Sequence, residues 1–471
     1  MSGASPASFG ASAEGGTAYR LLRRIVDIRP AEAQALLWAW LYIFCILCSY
    51  SVMRPIRDQA GIAGGVNNLQ WLFTGTLVGM LALNLPFAWL VRTMPRSRFI
   101  PLTYRFFAAN ILLFALAQYA ATGTAAVWVG RVFFIWTSVF NLFVVSVFWA
   151  LLVDLFTADQ GKRLFGMVAA GASVGAITGS ALTASLAALV PPSLLLLVAA
   201  ILLEVAVFCV RRLGRLSPAL SRPQSTADAS DPATAERELK ERQAEQGAAA
   251  TAMGGGVLSG IARALGQPYL LNVSIFMLLF SVTSTFLYFQ QASIIGSSLT
   301  SRAAQTQFLA TIDLVVNVLT LGVQLFLTGR IVRTLGVTAT IALLPGFSIV
   351  GFAVLATFPA LSSVVPFQVL RRAANFAITR PTREVLFTVL PREDRYKAKS
   401  FIDTVVYRLG DQVGAWSYAG LAGLGWTLHG IALVAIPVCV LWLGNAVWLG
   451  WRETRMAAEQ AAAITRAAAP A

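Results

Sequence analysis

Charge is scarce in this chain of 471 residues: Asp, Glu, Lys and Arg together make up 12% of it. An ordinary soluble protein carries about twice that share. The deficit excludes a disordered chain and argues against a pair of soluble enzyme domains. Histidine is almost missing, with His429 alone, so no histidine-based metal centre can be assembled. Cysteine is limited to Cys45, Cys48, Cys209 and Cys439, all within apolar stretches. Cys45-x-x-Cys48 has the spacing of a redox or metal pair, but no second pair or histidine cluster accompanies it, and it reads as buried apolar thiols. No Gly-x-x-x-x-Gly-Lys-Ser/Thr loop occurs, which excludes nucleotide hydrolysis by that route. Neither an enzyme nor a resident cofactor is expected.

What the chain does have is apolar surface. Hydrophobic residues make up 57% of it and the mean hydropathy is +0.71, enough for about twelve spans of roughly 20 residues each. The apolar runs place spans near 33–53, 69–91, 101–120, 127–152, 164–189 and 193–210, then near 268–290, 307–328, 337–357, 361–390, 400–422 and 428–450. Arg20, Arg23, Arg24 and Arg29 precede the first run with no small-residue cleavage site after a short apolar core, so no cleaved signal peptide is expected.

The net charge of +15 comes from 36 basic and 21 acidic residues. With the N-terminus inside, the arm 1–32, the loops 92–100, 154–163, 211–267, 329–336 and 391–399, and the tail 451–471 hold 26 of the 36 basic residues. The opposite loops hold Arg302 alone, apart from Arg54 and Arg57 at the start of the first one. That alternation follows the positive-inside rule and places both termini in the cytoplasm of a bacterial inner membrane. The excess positive charge therefore sets topology and does not indicate nucleic-acid binding.

Segment 211–267 is polar, with a Pro/Ser/Asp run, a charged stretch and Gly254-Gly255-Gly256, and reads as a cytoplasmic linker between bundles 33–210 and 268–450. A weak internal match at an offset of 235 supports a duplication: Asp159-x-x-Lys162 on Asp394-x-x-Lys397, Gly175 on Gly410, Ser49 on Ser284, Gln70 on Gln305. The expectation is an all-α membrane protein of twelve transmembrane helices in two six-helix repeats, the major facilitator-type architecture. Gly-x-x-x-Gly spacing occurs at Gly75–Gly79 in span 2, Gly171–Gly175–Gly179 in span 5 and Gly410–Gly414 in span 11. It suits close helix approach, and in that architecture spans 2, 5, 8 and 11 line the contact between the halves.

Nine arginines remain at or near membrane depth: Arg54, Arg57, Arg105, Arg131, Arg371, Arg372, Arg380, Arg383 and Arg408. A buried arginine normally faces a partner or a wet cavity. Arg105 is near enough to a helix end to snorkel, and Arg131 suits either snorkelling or cavity lining. In span 10, Arg372, Asn375, Thr379 and Arg383 fall on one helical stripe. Arg380 and Glu384 are four apart and suit a local pair, and Pro381 is expected to kink the helix. Arg408 and Asp411 in span 11 suit an internal salt bridge or a ligand contact. Arg54, Arg57 and Asp58 close span 1, as a plain polar helix end or as part of a site. Span 4 carries Asn141 and span 8 carries Asp313. Arginine forks match phosphate and carboxylate, so surplus intramembrane arginine points to an anionic substrate, with Asp313 or Glu384 as proton or counter-ion sites.

Tyr50-x-x-x-Arg54-x-x-Arg57-Asp58 resembles the span-1 motif of the nucleotide (ATP/ADP) transporter family of intracellular bacteria and plastids. Blocks Gln70–Thr76 and Pro391–Thr404 resemble its bacterial branch. The resemblance implies a nucleotide-exchanging carrier in which Arg57 contacts polyphosphate beside Asp58. Where plastid and parasite members carry lysine, this chain has arginine, and a planar fork is not equivalent to a point charge.

The expected substrate-binding set is Arg54, Arg57, Asp58, Asn141, Arg372, Asn375, Thr379 and Arg383. The coupling or gating set is Asp313, Arg380, Glu384, Arg408 and Asp411. The expected partners are an anionic small molecule, ATP/ADP among the candidates, and the lipid bilayer, with the chain a monomer. The competing readings are a non-transporting membrane partner of a cell-envelope enzyme or assembly, and a membrane enzyme acting on lipid-linked phosphates. No metal-ligand or nucleophile–base set supports the latter.

Overall fold

The computed structural model describes residues 28, 30–220, 266–391, 398, 399 and 401–468. The N-terminal arm, most of the linker and the Asp394-x-x-Lys397 element lie outside them. The described residues contain helices and no strand. They run α1 (Pro30–Ala63), α2 (Leu69–Thr93), α3 (Arg96–Ala120), α4 (Gly123–Leu155), α5 (Ala158–Leu186) and α6 (Pro192–Leu220). There follow α7 (Pro268–Ser298), α8 (Arg302–Phe326) and α9 (Thr328–Thr357). Next, α10 is Leu361–Ala374 continued through a π-helical turn at Asn375–Thr379 into Arg380–Leu386. Then α11 opens on a second π turn at Ile402–Val406 and continues as Tyr407–Gly423. Last is α12 (Leu428–Ala468).

Nine of these helices among the described residues are long and apolar enough to cross a membrane. The other three are α2, α10 and α11. The π turns cut α10 and α11 into α-helical pieces of 14, 7 and 17 residues, each shorter than a span. Large apolar side chains such as Leu113, Leu116, Trp128 and Phe326 stand exposed on the outer faces, as expected where lipid is the solvent.

Helix ends follow local chemistry. Thr157 and Gln160 form a reciprocal capping box at the start of α5, satisfying two amides that have no helical partner. Ser301 caps α8. Gly336 adopts φ 74° and breaks α9, a conformation open to glycine without strain. The segment 329–336, expected as a loop, is thus a short helical piece ahead of that break. Two helices overrun their spans. α1 continues past residue 53 to Ala63 and α12 continues to Ala468.

The chain divides into two compact units. The first takes Met1–Arg57, Val78–Gln224 and Thr306–Leu314, and the second takes Asp58–Leu77, Ser225–Gln305 and Val315–Ala471. In the first, the core gathers Tyr42, Tyr104, Phe133, Phe140 and Phe148, all essentially inaccessible. The Tyr42 hydroxyl donates to Tyr104 (2.6 Å), which donates to the Val144 carbonyl (3.0 Å), so these buried phenols are satisfied. At one end of this unit Glu32, 3% exposed, receives Arg163 through Nη2 (2.9 Å) and Nη1 (3.3 Å), and also Gln160. This fork ties the start of α1 to the start of α5. In the second unit, Phe276, Phe280 and Trp442 pack together, and Phe352 meets Phe367 edge-on.

Within each unit the glycines of these stripes bring helices close together. A Cβ at Gly175 would stand 2.4 Å from the Phe44 carbonyl oxygen, and one at Gly179 2.4 Å from that of Cys48. α5 therefore lies backbone to backbone on α1. In the second unit, Gly410 and Gly414 face Ser281 and Thr285 of α7 in the same manner. Gly79 faces Val139 of α4. The bulky side chains on α1 leave room for that approach only where the facing helix has none. The Gly175/Gly410 correspondence at offset 235 thus joins two positions with the same packing role.

Candidate functional site

The overrun of α1 changes the setting of its charged motif. Arg54, Arg57 and Asp58 lie within the helix, more than a turn before its end at Ala63. They are neither a frayed polar terminus nor part of a loop. In the first unit Arg54, its side chain 26% exposed, lies 3.5 Å through Nε from Asp313 Oδ2 on α8, a buried acid. Arg57 reaches Ser138 Oγ at 3.4 Å and stacks over Phe134, 5.1 Å from the ring centre. Asn141 is half-buried one turn further along α4. In the second unit Asp58 is 7% exposed and accepts from the Tyr288 hydroxyl of α7 at 3.0 Å.

The expected stripe on α10 is interrupted. Arg372 and Asn375 are half-buried before the π turn, Thr379 is buried at its end, and Arg383 follows it. A π turn inserts an extra residue, so the four positions do not share the single line that 3.6 periodicity predicts. Arg383 pairs with Asp403 of α11 at 3.0 Å. Both residues belong to distorted stretches, one just past a π turn and the other within one. The local Arg380–Glu384 pair does not form: Arg380 is exposed and Glu384 pairs with Lys399 instead, whose flexible stem brings a compact charge to it. A π turn ends one residue before Arg380-Pro381, so the proline opens the next α-helical piece. Arg408 and Asp411 do pair, at 3.1 Å, and Ser281 also donates to Asp411 at 2.5 Å.

Arg105 pairs with Glu204 at 3.5 Å, both half exposed. Arg131 stacks over Trp128 at 4.8 Å. All four cysteines are buried free thiols. His429 contacts the Ala356 carbonyl, and no group of metal-ligating side chains occurs among the described residues. In the Gln70–Thr76 block, Thr74 donates to Gln412 (2.9 Å) and accepts from Trp416 (3.2 Å), so it anchors α2 to α11 inside the second unit.

Sequence reasoning missed two contributors. Tyr288, the donor to Asp58, is a tyrosine in an aromatic-rich helix with nothing in its surroundings to single it out. Arg371 was visible as half of an Arg-Arg doublet, but the stripe favoured Arg372. In the structure Arg371 is the buried member, 3% exposed, and its three nitrogens reach Ser348, Ser284 and Thr283 at 2.8–3.0 Å.

The sequence profile of the Major Facilitator Superfamily matches residues 39–382. "ADP,ATP carrier protein 2" of Chlamydia pneumoniae is 19% identical, with 96% of this chain and 94% of that protein covered. "ADP,ATP carrier protein 1" of Chlamydia muridarum is 24% identical over 39% of this chain and 40% of its own length. Among solved structures, a bacterial homologue of the iron transporter ferroportin aligns with a TM-score of 0.59 at 10% identity, covering 87% of this chain and 99% of that one. An auto-inhibited POT family peptide transporter aligns at 0.57 with 16% identity, covering 90% and 97%. At such identities these structures speak for the fold.

Proposed function

The chain belongs to the Major Facilitator Superfamily, a multi-pass membrane transporter and not an enzyme, and on that premise we propose that its cargo is an organic anion, a nucleotide or another phosphorylated solute, moved by alternating access. The observation that carries this reading is the placement of Arg54 and Arg57 inside α1 and not at its end. An arginine there has to be matched by a partner or a ligand, and its fork suits phosphoryl oxygens. The end-to-end similarity to a protein named as an ADP,ATP carrier supports the nucleotide as first candidate.

In this reading Arg54, Arg57, Asp58, Asn141, Arg372, Asn375, Thr379 and Arg383 contact the substrate. Asp313, Arg380, Glu384, Arg408 and Asp411 couple or gate, exchanging ion-pair partners as the carrier changes state. The protein works as a monomer in a bacterial inner membrane with both termini cytoplasmic. The test is exchange by purified protein in liposomes loaded with ADP, offered labelled ATP, ADP, AMP, phosphate and dicarboxylates. Exchange that collapses at least tenfold in Arg372→Ala is expected. No exchange across the whole panel would leave a non-transporting membrane partner as the better account.

A further inference from the structure

Within the second unit two arginines of α10 and α11 pair with acids. Arg383 holds Asp403 and Arg408 holds Asp411. Arg371 differs. Its Nε donates to Ser348 (3.0 Å), Nη1 to Ser284 (2.9 Å) and Nη2 to Thr283 (2.8 Å). Its guanidinium carbon lies 5.5 Å from the Phe280 ring centre and 5.8 Å from that of Trp442. Among the described residues no carboxylate lies within ion-pair distance of it.

The three hydroxyls are set to receive a cation. Each spends its own proton on a helix carbonyl four residues back: Thr283 on Leu279 (2.9 Å), Ser284 on Phe280 (2.7 Å) and Ser348 on Leu344 (2.8 Å). Their oxygens are left to accept, and each hydroxyl relays the negative end of a peptide dipole to the guanidinium. The two aromatic faces add quadrupole attraction. The cage solvates the charge with dipoles and does not cancel it, and arginine does not lose its proton in proteins. A whole positive charge is thus fixed one residue from Arg372.

We propose that Arg371 is a buried standing charge that grades transported anions by their valence without touching them. The proposal rests on the anion-transport reading above. A field of this kind acts on each cargo in proportion to its charge, whereas a side chain that merely rivets α7, α9 and α10 acts on all cargoes alike.

The experiment measures KM and maximal rate in liposomes for labelled phosphate, AMP, ADP and ATP. In the wild type KM falls as cargo charge rises. In Arg371→Gln, which keeps donors and loses the charge, the ratio of KM for ATP to KM for AMP rises about tenfold, and Arg371→Lys restores most of it. Should Arg371→Gln fail to fold, Ser348→Asp places a carboxylate on Nε with the guanidinium retained, and the same rise is expected. Equal scaling of all four anions in these variants, with the ratio unmoved, overturns the proposal while the anion reading stands. A wild type that carries none of the four removes both together.

Discussion

Glu32 and Asp313 are equally buried, at 3% exposure each, yet their partners differ. Glu32 is gripped by both terminal nitrogens of Arg163 and by Gln160, a bidentate arrangement that fixes geometry. Asp313 lies 3.5 Å from Arg54 Nε, a longer approach than the 2.9 Å of Arg163 to Glu32. Removing one member of a buried pair strands the other. Glu32→Gln is therefore expected to destabilise the purified protein by about 3 kcal/mol, read as a lowered melting temperature with KM unchanged in what survives. Asp313→Asn is expected to do the reverse, with a small shift in melting and a loss of exchange of tenfold or more. Matching losses of stability in both would remove the distinction between a clasp and a coupling acid. Residue by residue, the sequence shows which charges lie at membrane depth, since an arginine in an apolar run is conspicuous. It does not show how they are balanced. Arg371 and Arg372 are neighbours of one type, and only packing makes one a caged cation and the other a half-buried one. The cage is built of serines and threonines, which are ordinary anywhere in a membrane helix.

At the scale of elements, the glycines on α5 and α11 make a sharp prediction. A methyl at Gly175 would meet a carbonyl oxygen at 2.4 Å, and backbone cannot step aside as a side-chain tip can. Gly175→Ala is expected to cost about 2 kcal/mol or more through overpacking. Gly322→Ala on α8, with nothing within 4 Å of the new methyl, is expected to be neutral or stabilising by up to about 1 kcal/mol. Thermal unfolding of the two variants in one detergent compares them, and equal melting temperatures would refute the backbone-contact account. The spans themselves were legible because lipid demands long apolar runs. The ends of α1 and α12 were not, since polar residues are free to continue a helix that apolar ones began. Neither were the π turns, because an inserted residue leaves no mark in composition. Pro381 marked the neighbourhood of the first of them.

For the whole molecule, architecture followed from charge asymmetry between loops together with apolar length, and the family match and the aligned folds agree with it. The division into compact units was less accessible. Residues 58–77 cluster with the second unit and residues 306–314 with the first, and such long-range membership is not encoded in any local pattern. Sidedness is directly testable. The native cysteines are buried, so they give little background to a membrane-impermeant maleimide. In intact cells Thr122→Cys and Phe358→Cys are expected to label and Arg330→Cys is not. Labelling at Arg330→Cys without permeabilisation would reverse the topology.

The π turns at Asn375–Thr379 and Ile402–Val406 also have a bearing on how the chain tolerates change over descent. Each holds one residue more than an α-helix of the same rise requires, so each is a place where a codon can be lost without opening a gap in the chain. The loss would be nearly silent downstream: removing the surplus residue restores an α-helical turn, and Arg383 keeps its bearing toward Asp403. A residue lost elsewhere in the helix would turn everything beyond it by about 100°, so relatives shorter by one residue at these turns are expected to keep the same face of α10 toward α11.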